Sequence, residues 1–288
     1  MDAAAHAARG IFLRILSLFL VILVSACTTQ SVMQTSVRPL QSEKYAAIVV
    51  DANTGRVLFE KNSRDARYPA SLTKMMTLYL LFEALDAGRV SLDTQIPVSA
   101  YAAKRPPSKI GFKPGQTIDV RSAILALAVR SANDVAAAVG EFLGGSEERF
   151  AAMMTAKARA LGMQSTTFRN ASGLPDEGQH TTAHDMAILG MALRRHFPHH
   201  YHYFSNREFT FAGKVIRGHN NLLGKVVGAD GLKTGYIRAS GFNLVTSVGR
   251  GGRRIVAVVM GGETAKSRDA HMEELIELYL PKATPAGV

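Results

Sequence analysis

A serine and a lysine stand three residues apart at the start of an apolar segment, a spacing that brings a hydroxyl and an amine together. Ser71 and Lys74 follow Pro69, and the glycine-free apolar run 75–85 predicts a helix that begins here. Residues i and i+3 of a helix are neighbours on its surface. The helix start also offers unpaired N–H groups and a positive dipole end to an anion. This layout is typical of an activated serine nucleophile acting on an acyl group.

Two further short motifs give the pair more weight. A lone Ser71/Lys74 pair could equally be a helix N-cap and a solvated lysine. The chain, however, also contains Ser131-Ala132-Asn133 and Lys233-Thr234-Gly235, and each of the three patterns occurs once, in this order. Together they form the set found in class A β-lactamases and penicillin-binding proteins. Three unrelated coincidences in the required order are improbable.

Longer segments around these motifs resemble one family, the low-molecular-mass penicillin-binding proteins, which are serine-type D-alanyl-D-alanine carboxypeptidases. The resemblance extends from about Lys44 to about Leu280 and keeps the order and spacing of the family. The segments that carry it are 47–58, 68–77, 161–163, 167–170, 173–174, 182–187 and 230–235.

Hydrophobic patterns predict strands near both ends of this region and helices between them. Alternating apolar residues favour β-hairpins at 45–59 and 242–260, with a neighbouring strand at 232–237. Five helices are predicted between the hairpins and one after them: 71–87, 120–129, 134–143, 147–161, 183–196 and 269–280. The resemblance adds the topology, an α/β fold in which an antiparallel sheet of about five strands is flanked by helices and carries an inserted all-helical region.

These patterns also set the expected domain boundaries. We expect a signal peptide at 1–26, a flexible tether at 27–43, a DD-peptidase domain at 44–282 and a tail at 283–288. Within the domain, residues 44–70 and 205–282 would form the sheet part and residues 71–204 the helical insert.

The resemblance implies a catalytic role for each of four residues. Ser71 would attack the carbonyl of a D-Ala-D-Ala peptide bond, and Lys74 would be its base. A lysine normally titrates near 10.4, so Lys74 would need burial and a neighbouring cation, for which Lys233 is the candidate. Ser131 would relay a proton to the leaving amine, and Asn133 would hold Lys74 and the substrate amide.

Substrate-binding roles follow from the same resemblance. Lys233 and Thr234 would grip the terminal carboxylate, and Gly235 would avoid a side chain that obstructs the approach of strand and ligand. The backbone N–H of Tyr236, with that of Ser71, would bind the oxyanion. Arg268 resembles the family arginine of the carboxylate pocket, although Arg238 is also near this strand.

Neither a cofactor nor a metal ion is expected. Four histidines, His196, His199, His200 and His202, suggest a metal cluster, but the neighbouring proline and aromatic residues favour an exposed helix end.

Three rival functions stay open at this stage. A D,D-endopeptidase would cut peptidoglycan cross-links with the same residues. A noncatalytic lipoprotein would only bind wall peptides, although Ser71 and Lys74 are both present. A β-lactamase is disfavoured because no E-x-x-L-N element lies between Ser131 and Lys233. Tyr236-Ile237 departs from the small or polar pair that many relatives have after the K-T-G element. The resemblance therefore does not fix the shape of the substrate channel.

The N-terminus predicts export. Arg9 and Arg14 precede the apolar run 15–24, which is too short to span a bilayer. The segment 24–27 resembles a bacterial lipobox whose Cys27, the single cysteine of the chain, would be lipidated. An ordinary secretory peptide with an incidental cysteine is the alternative. We therefore expect a periplasmic protein anchored to a membrane through Cys27, the more so because the sequence ends at Val288 without the added domain and amphipathic anchor of many relatives.

Composition bears on the partners. The formal net charge is +11, but the basic residues are scattered and export removes nucleic acid as a partner. Peptidoglycan stem peptides ending in D-Ala-D-Ala, and β-lactams as covalent inhibitors, are the partners that the resemblance implies.

Overall fold

A computed structural model describes residues 39–287 of the chain. The predicted signal peptide, Cys27 and most of the predicted tether lie outside these residues. Across residues 39–287, no helix is long and apolar enough to cross a membrane.

A five-stranded antiparallel sheet forms the centre of the fold, which confirms the predicted fold class. The nine strands within residues 39–287 are Ala46–Asp51 (β1), Val57–Lys61 (β2), Gln95–Pro97 (β3), Thr117–Asp119 (β4), Glu208–Phe211 (β5), Lys214–Arg217 (β6), Ala229–Ile237 (β7), Gly241–Arg250 (β8) and Arg253–Gly262 (β9). The spatial order of the sheet is β2-β1-β9-β8-β7, so strands that are far apart in the sequence meet in one sheet. Strand β1 pairs with β9 over its whole length, Ala46 opposite Met260 and Asp51 opposite Ile255.

Seven α-helices surround the sheet within residues 39–287; six lie at the positions that the apolar periodicity indicated, and a short one, Ala100–Ala103, is additional. They are Lys74–Asp86 (α1), Ala100–Ala103 (α2), Val120–Leu125 (α3), Asn133–Gly144 (α4), Glu147–Ala160 (α5), Ala183–His196 (α6) and Ala265–Tyr279 (α7). The start of α6 is fixed as predicted, because the hydroxyl of Thr182 accepts from the N–H of Asp185 at 3.0 Å.

Several local features differ from the predictions. Two short antiparallel pairs, β3–β4 and β5–β6, supplement the main sheet, and β3–β4 lies inside the segment predicted to be all helical. Helix α7 starts at Ala265 rather than 269, because Thr264 and Ser267 form a capping box. Residues 283–286, assigned to a tail, include a buried Ala283, and the N–H of Thr284 donates to Asp51 at 2.9 Å.

The helix that begins at the serine–lysine pair is held in place by the hydrophobic core around it. Helix α1 is apolar on every face, and all its residues from Lys74 to Phe82 are buried. A helix that is hydrophobic all round belongs in the interior. Its first turn is therefore held firmly by the core, a suitable base for a reactive site.

Candidate active site

Ser71 lies in a short 3₁₀ turn, Ala70–Thr73, that leads directly into α1. The Oγ of Ser71 and the Nζ of Lys74 are 3.1 Å apart, so the predicted pairing of hydroxyl and amine is present. Ala70, immediately before the serine, has a φ of 49°, a left-handed conformation that is uncommon for a residue with a side chain. The turn thus sets Ser71 at a sharp change of chain direction.

The amine of Lys74 is enclosed and fully hydrogen-bonded. Lys74 is buried, and its Nζ contacts the Ser71 hydroxyl, Asn133 Oδ1 at 2.7 Å and the carbonyl oxygen of Ser172 at 2.6 Å. Burial, and secondly the charge of Lys233, lower the pKa of Lys74 well below its ordinary value. The carboxylates of Glu147 and Asp134 act in the opposite direction. A neutral Lys74 is the form that could take a proton from Ser71.

Lys233 is the second buried amine of the site. Its Nζ donates to the carbonyl oxygen of Thr234 at 2.9 Å. Burial, followed by the charge of Arg268, lowers the pKa of Lys233 to about 7. The two lysines therefore lie in a region where a positive charge is destabilised, and an anionic ligand group would stabilise their charged forms.

Ser131 has a left-handed backbone conformation and lies between a π-helical segment, Ala126–Arg130, and α4. Its φ of 61° turns the chain so that Asn133 can begin α4 and face Lys74. The hydroxyl of Ser131 is buried and has no hydrogen-bond partner among residues 39–287. A buried hydroxyl without a partner is unusual, and this one lines the cleft beside Ser71.

The loop 170–174 is a part of the site that the sequence analysis missed. Asn170 Oδ1 accepts from the N–H and the hydroxyl of Ser172 and from the N–H of Gly173, at 3.2, 3.1 and 2.7 Å. This local network, a pattern known for asparagine in turns, presents the carbonyl oxygen of Ser172 to Lys74. The asparagine before Ala-Ser-Gly was the available signal.

Gly173 brings that loop into direct contact with the serine turn. It has a φ of 83°, and a Cβ at this position would lie 1.8 Å from the carbonyl oxygen of Ala70. No side chain fits in that space. The glycine therefore allows the loop to close over the base of the nucleophile.

Gly235 plays a similar part on the opposite wall. A Cβ there would lie 3.0 Å from the backbone nitrogen of Ser71, so β7 packs tightly against the serine turn. We predicted crowding of a ligand at this position, and the structure shows crowding of the protein's own backbone. Asn243 on β8, also missed, donates to the carbonyl oxygens of Tyr68 and Pro69 at 3.1 and 3.3 Å and ties the sheet to the same turn.

These walls enclose a cleft of about 510 Å³. The predicted residues that line it are Ser71, Ser131, Asn133, Thr234, Gly235, Tyr236 and Arg268.

Of the two candidate arginines, the structure places Arg268 at the cleft. Arg268 is buried, donates to the Asn243 carbonyl oxygen at 3.2 Å and pairs with Asp269 at 2.6 Å. Arg238 is exposed and does not line the cleft. Tyr236 is 54% exposed and stacks on Phe242 at 4.2 Å, so an aromatic pair flanks the mouth.

The four histidines do not form a metal cluster, and no group of metal-ligating side chains is found within residues 39–287. Instead His196 bonds to the hydroxyl of Tyr79 and His200 to the carboxylate of Asp86, at 2.8 and 2.7 Å. They stabilise the end of α6 and its neighbouring turn.

Comparison with known proteins assigns the family. A family model described as "D-alanyl-D-alanine carboxypeptidase" matches residues 33–264. The chain belongs to this family. It is 36% identical over 258 residues to D-alanyl-D-alanine carboxypeptidase DacF of Bacillus subtilis, covering 88% of this chain. It is 37% identical over 251 residues to DacA of Escherichia coli, covering 85% of this chain.

Solved structures agree with that assignment. The carboxypeptidase DacD from Francisella tularensis superposes with a TM-score of 0.80 at 30% identity, over 84% of this chain and 71% of that one. Penicillin-Binding Protein D2 from Listeria monocytogenes, in its ampicillin-bound form, gives 0.71 at 32% identity, over 81% and 95%. The chain spans 66% of the length of DacF and 62% of that of DacA.

Proposed function

We propose that the chain is a serine-type D-Ala-D-Ala carboxypeptidase that trims peptidoglycan stem peptides through an acyl-enzyme on Ser71. One observation carries the proposal: the buried amine of Lys74 lies 3.1 Å from the Ser71 hydroxyl and is held from behind by Asn133 and Ser172. Family membership supports the reaction class.

In the first step, neutral Lys74 takes the proton of Ser71 while the hydroxyl oxygen attacks the penultimate D-Ala carbonyl. Burial, and then the charge of Lys233, lower the pKa of Lys74 and so favour the neutral amine, the form that can accept a proton. The oxyanion would meet the backbone N–H groups of Ser71 and Tyr236, and each such donor is worth about a hundredfold to a thousandfold in rate. Ser131, whose buried hydroxyl has no hydrogen-bond partner in the described part of the chain, would pass a proton to the leaving D-alanine.

Recognition of the free carboxylate would come from the positive end of the cleft. Lys233, Thr234 and Arg268 lie on this side, and the carboxylate would restore the charged state of Lys233, whose pKa is lowered to about 7 in its absence. An amide-capped peptide would lack that interaction. Water would then hydrolyse the acyl-enzyme and free Ser71.

The same residues would be acylated by penicillins. No E-x-x-L-N element is present between Ser131 and Lys233 to hold a deacylating water, so we expect the bound drug to leave slowly. Nitrocefin turnover should therefore be slow, and rapid turnover would favour the β-lactamase alternative.

The test is covalent labelling with a fluorescent penicillin. Wild-type protein should carry one adduct on Ser71, found by peptide mass spectrometry, and should release D-alanine from a pentapeptide. Ser71→Ala should lose both properties. Ser91→Ala is a control, because Ser91 is exposed and does not line the cleft. An adduct on Ser71→Ala would refute the nucleophile, and binding without release of D-alanine would favour the noncatalytic alternative.

Export and anchoring belong to the proposal as well. The lipobox-like segment ending at Cys27 would place the enzyme outside the cytoplasm, on a membrane. Metabolic labelling with a fatty-acid analogue should mark wild type and not Cys27→Ser. Equal labelling of both would favour an ordinary secretory peptide.

A further inference from the structure

Glu147 is a buried carboxylate that the proposed reaction does not use. It is the first residue of α5 and does not line the cleft. Glutamate is almost never buried unless its charge is paired or hydrogen-bonded. The start of α5 favours a negative charge through the helix dipole, and the hydrogen bonds of the carboxylate lead towards Lys74.

Each oxygen of Glu147 accepts one hydrogen bond. Oε2 accepts from the hydroxyl of Tyr101 on α2 at 2.5 Å, and Oε1 accepts from the N–H of Ala171 at 3.0 Å. Burial, and then the contact with Glu147, raise the pKa of Tyr101 to about 12, so the tyrosine keeps its proton and donates it. The carboxylate thus joins α2 to the loop 170–174.

The backbone of Ala171 is held from two sides. Its N–H donates to Glu147, and its carbonyl oxygen accepts from the hydroxyl of Thr77 at 2.7 Å. Thr77 lies three residues after Lys74 on α1. The next residue of the loop, Ser172, presents the carbonyl oxygen that binds the Lys74 amine at 2.6 Å. Glu147 and Thr77 therefore fix the residue immediately before the one that holds the amine.

Glu147 also acts on Lys74 through its charge. Burial, and then the charge of Lys233 on β7, lower the pKa of Lys74, while Glu147 and, less strongly, Asp134 on α4 raise it. The carboxylate of Asp134 accepts from the backbone N–H groups of residues 110–112, so a change there would release a second loop. Glu147 is the carboxylate whose charge can be removed more selectively.

We propose that Glu147 is a positioning residue of the acylation step, which fixes the loop that holds Lys74 and stabilises the ammonium group formed when this amine takes the proton of Ser71. The inference rests on the proposed function. The proton moves from Oγ of Ser71 to Nζ of Lys74 as Oγ bonds to the acyl carbon, and Glu147 stays ionised throughout. Its negative charge makes the amine a stronger base and keeps it protonated to a higher pH.

Glu147→Gln tests the charge, with penicillin acylation followed by stopped flow across pH. The amide oxygen can still accept from Ala171, and Tyr101, which is 41% exposed, can donate to water. A weaker base should lower the plateau rate about two- to fivefold. The rise of the rate with pH should begin at lower pH: where wild type reaches about one tenth of its plateau, the variant should reach an about threefold larger fraction of its own.

Glu147→Ala tests the position of the loop, because it removes the hydrogen bond to Ala171 as well as the charge. Its pH profile should be displaced as in Glu147→Gln, but its plateau rate should fall at least about tenfold, since Ser172 is no longer held against Lys74. Glu148→Gln is the matched control: it removes an equal charge from the next residue, which is exposed. It should keep both the plateau rate and the profile within about twofold of wild type.

The outcomes separate the two parts of the proposal from the proposed function. A pH profile of Glu147→Gln that coincides with that of wild type would overturn the role of the charge. Equal plateau rates in Glu147→Gln and Glu147→Ala would overturn the positioning of the loop, and a displaced profile in Glu148→Gln would show that any charge nearby has this effect and would overturn the assignment to Glu147. Absence of penicillin acylation in wild type would instead overturn the proposed function.

Discussion

Replacement of Gly173 by alanine should slow catalysis strongly in a protein that still folds. The new Cβ would lie 1.8 Å from the Ala70 carbonyl oxygen, whereas ordinary contact begins at 3.4 Å, so the loop and the serine turn must separate by about 1.6 Å. A movement of that size removes the 2.6 Å bond from Lys74 to Ser172. Misplacement by about 1 Å costs about a hundredfold in rate, so we expect penicillin acylation to slow by at least that factor.

Stability should also fall, by an amount that can be measured separately. A left-handed alanine costs about 1–2 kcal/mol, and overpacking adds about 1–3 kcal/mol. The sum of about 2–5 kcal/mol is below the usual stability of about 5–15 kcal/mol of a domain, so the variant should fold and show a Tm lowered by roughly 5–20 °C.

Gly162→Ala is the matched control, since Gly162 has a φ of 91° but open space around it. It should carry only the backbone strain and keep the acylation rate. Acylation rates measured by stopped flow, with Tm from circular dichroism, separate the two effects. Gly173→Ala reacting at the wild-type rate, with a Tm no lower than that of Gly162→Ala, would refute the close contact.

Two further changes test the electrostatics and the loop. The pKa of Lys233 is lowered from 10.5 to about 7, so folding loses stability as pH falls from about 10.5 towards 7. Lys233→Met should remove a cost of about 4 kcal/mol in the free energy of folding at pH 7, and so raise the Tm and flatten its dependence on pH. Substrates that carry a carboxylate should lose affinity. A pH dependence of the Tm equal to that of wild type would contradict the buried amine. Asn170→Ala removes the acceptor of three hydrogen bonds and should slow acylation about tenfold to a hundredfold through Lys74, with the pH profile of acylation displaced; a drop in Tm alone would limit Asn170 to a structural part.

Much of the fold was predictable because its elements are locally encoded. Helix α6 has both an apolar face and a capping threonine, and its bounds match the prediction at both ends. The segments at the edges of the site were harder to predict from the sequence. The 3₁₀ turn at Ser71 and the π-helical segment before Ser131 depend on tertiary contacts, which no periodicity reports. The short pairs β3–β4 and β5–β6 are three or four residues long, too short for a pattern of alternation.

Within the site, the motifs named the residues and the resemblance supplied their roles. What neither could supply is the contact partner of each atom. Lys74 is held by the backbone of Ser172, and a backbone oxygen has no signature in the residue type. Asn243 likewise binds the turn before Ser71 from a distant strand, and only the packing of β8 on that turn reveals it.

Strand β7 is the outermost strand of the sheet on the side of Ser71. An outer strand exposes backbone groups that would pair with any extended chain, yet here the serine turn and the loop 170–174 narrow the approach. We therefore expect a slender, extended chain end to fit along that edge and a folded polypeptide to be kept from it. In the proposed reaction, the shape of this entrance would by itself keep folded neighbouring proteins from being cleaved.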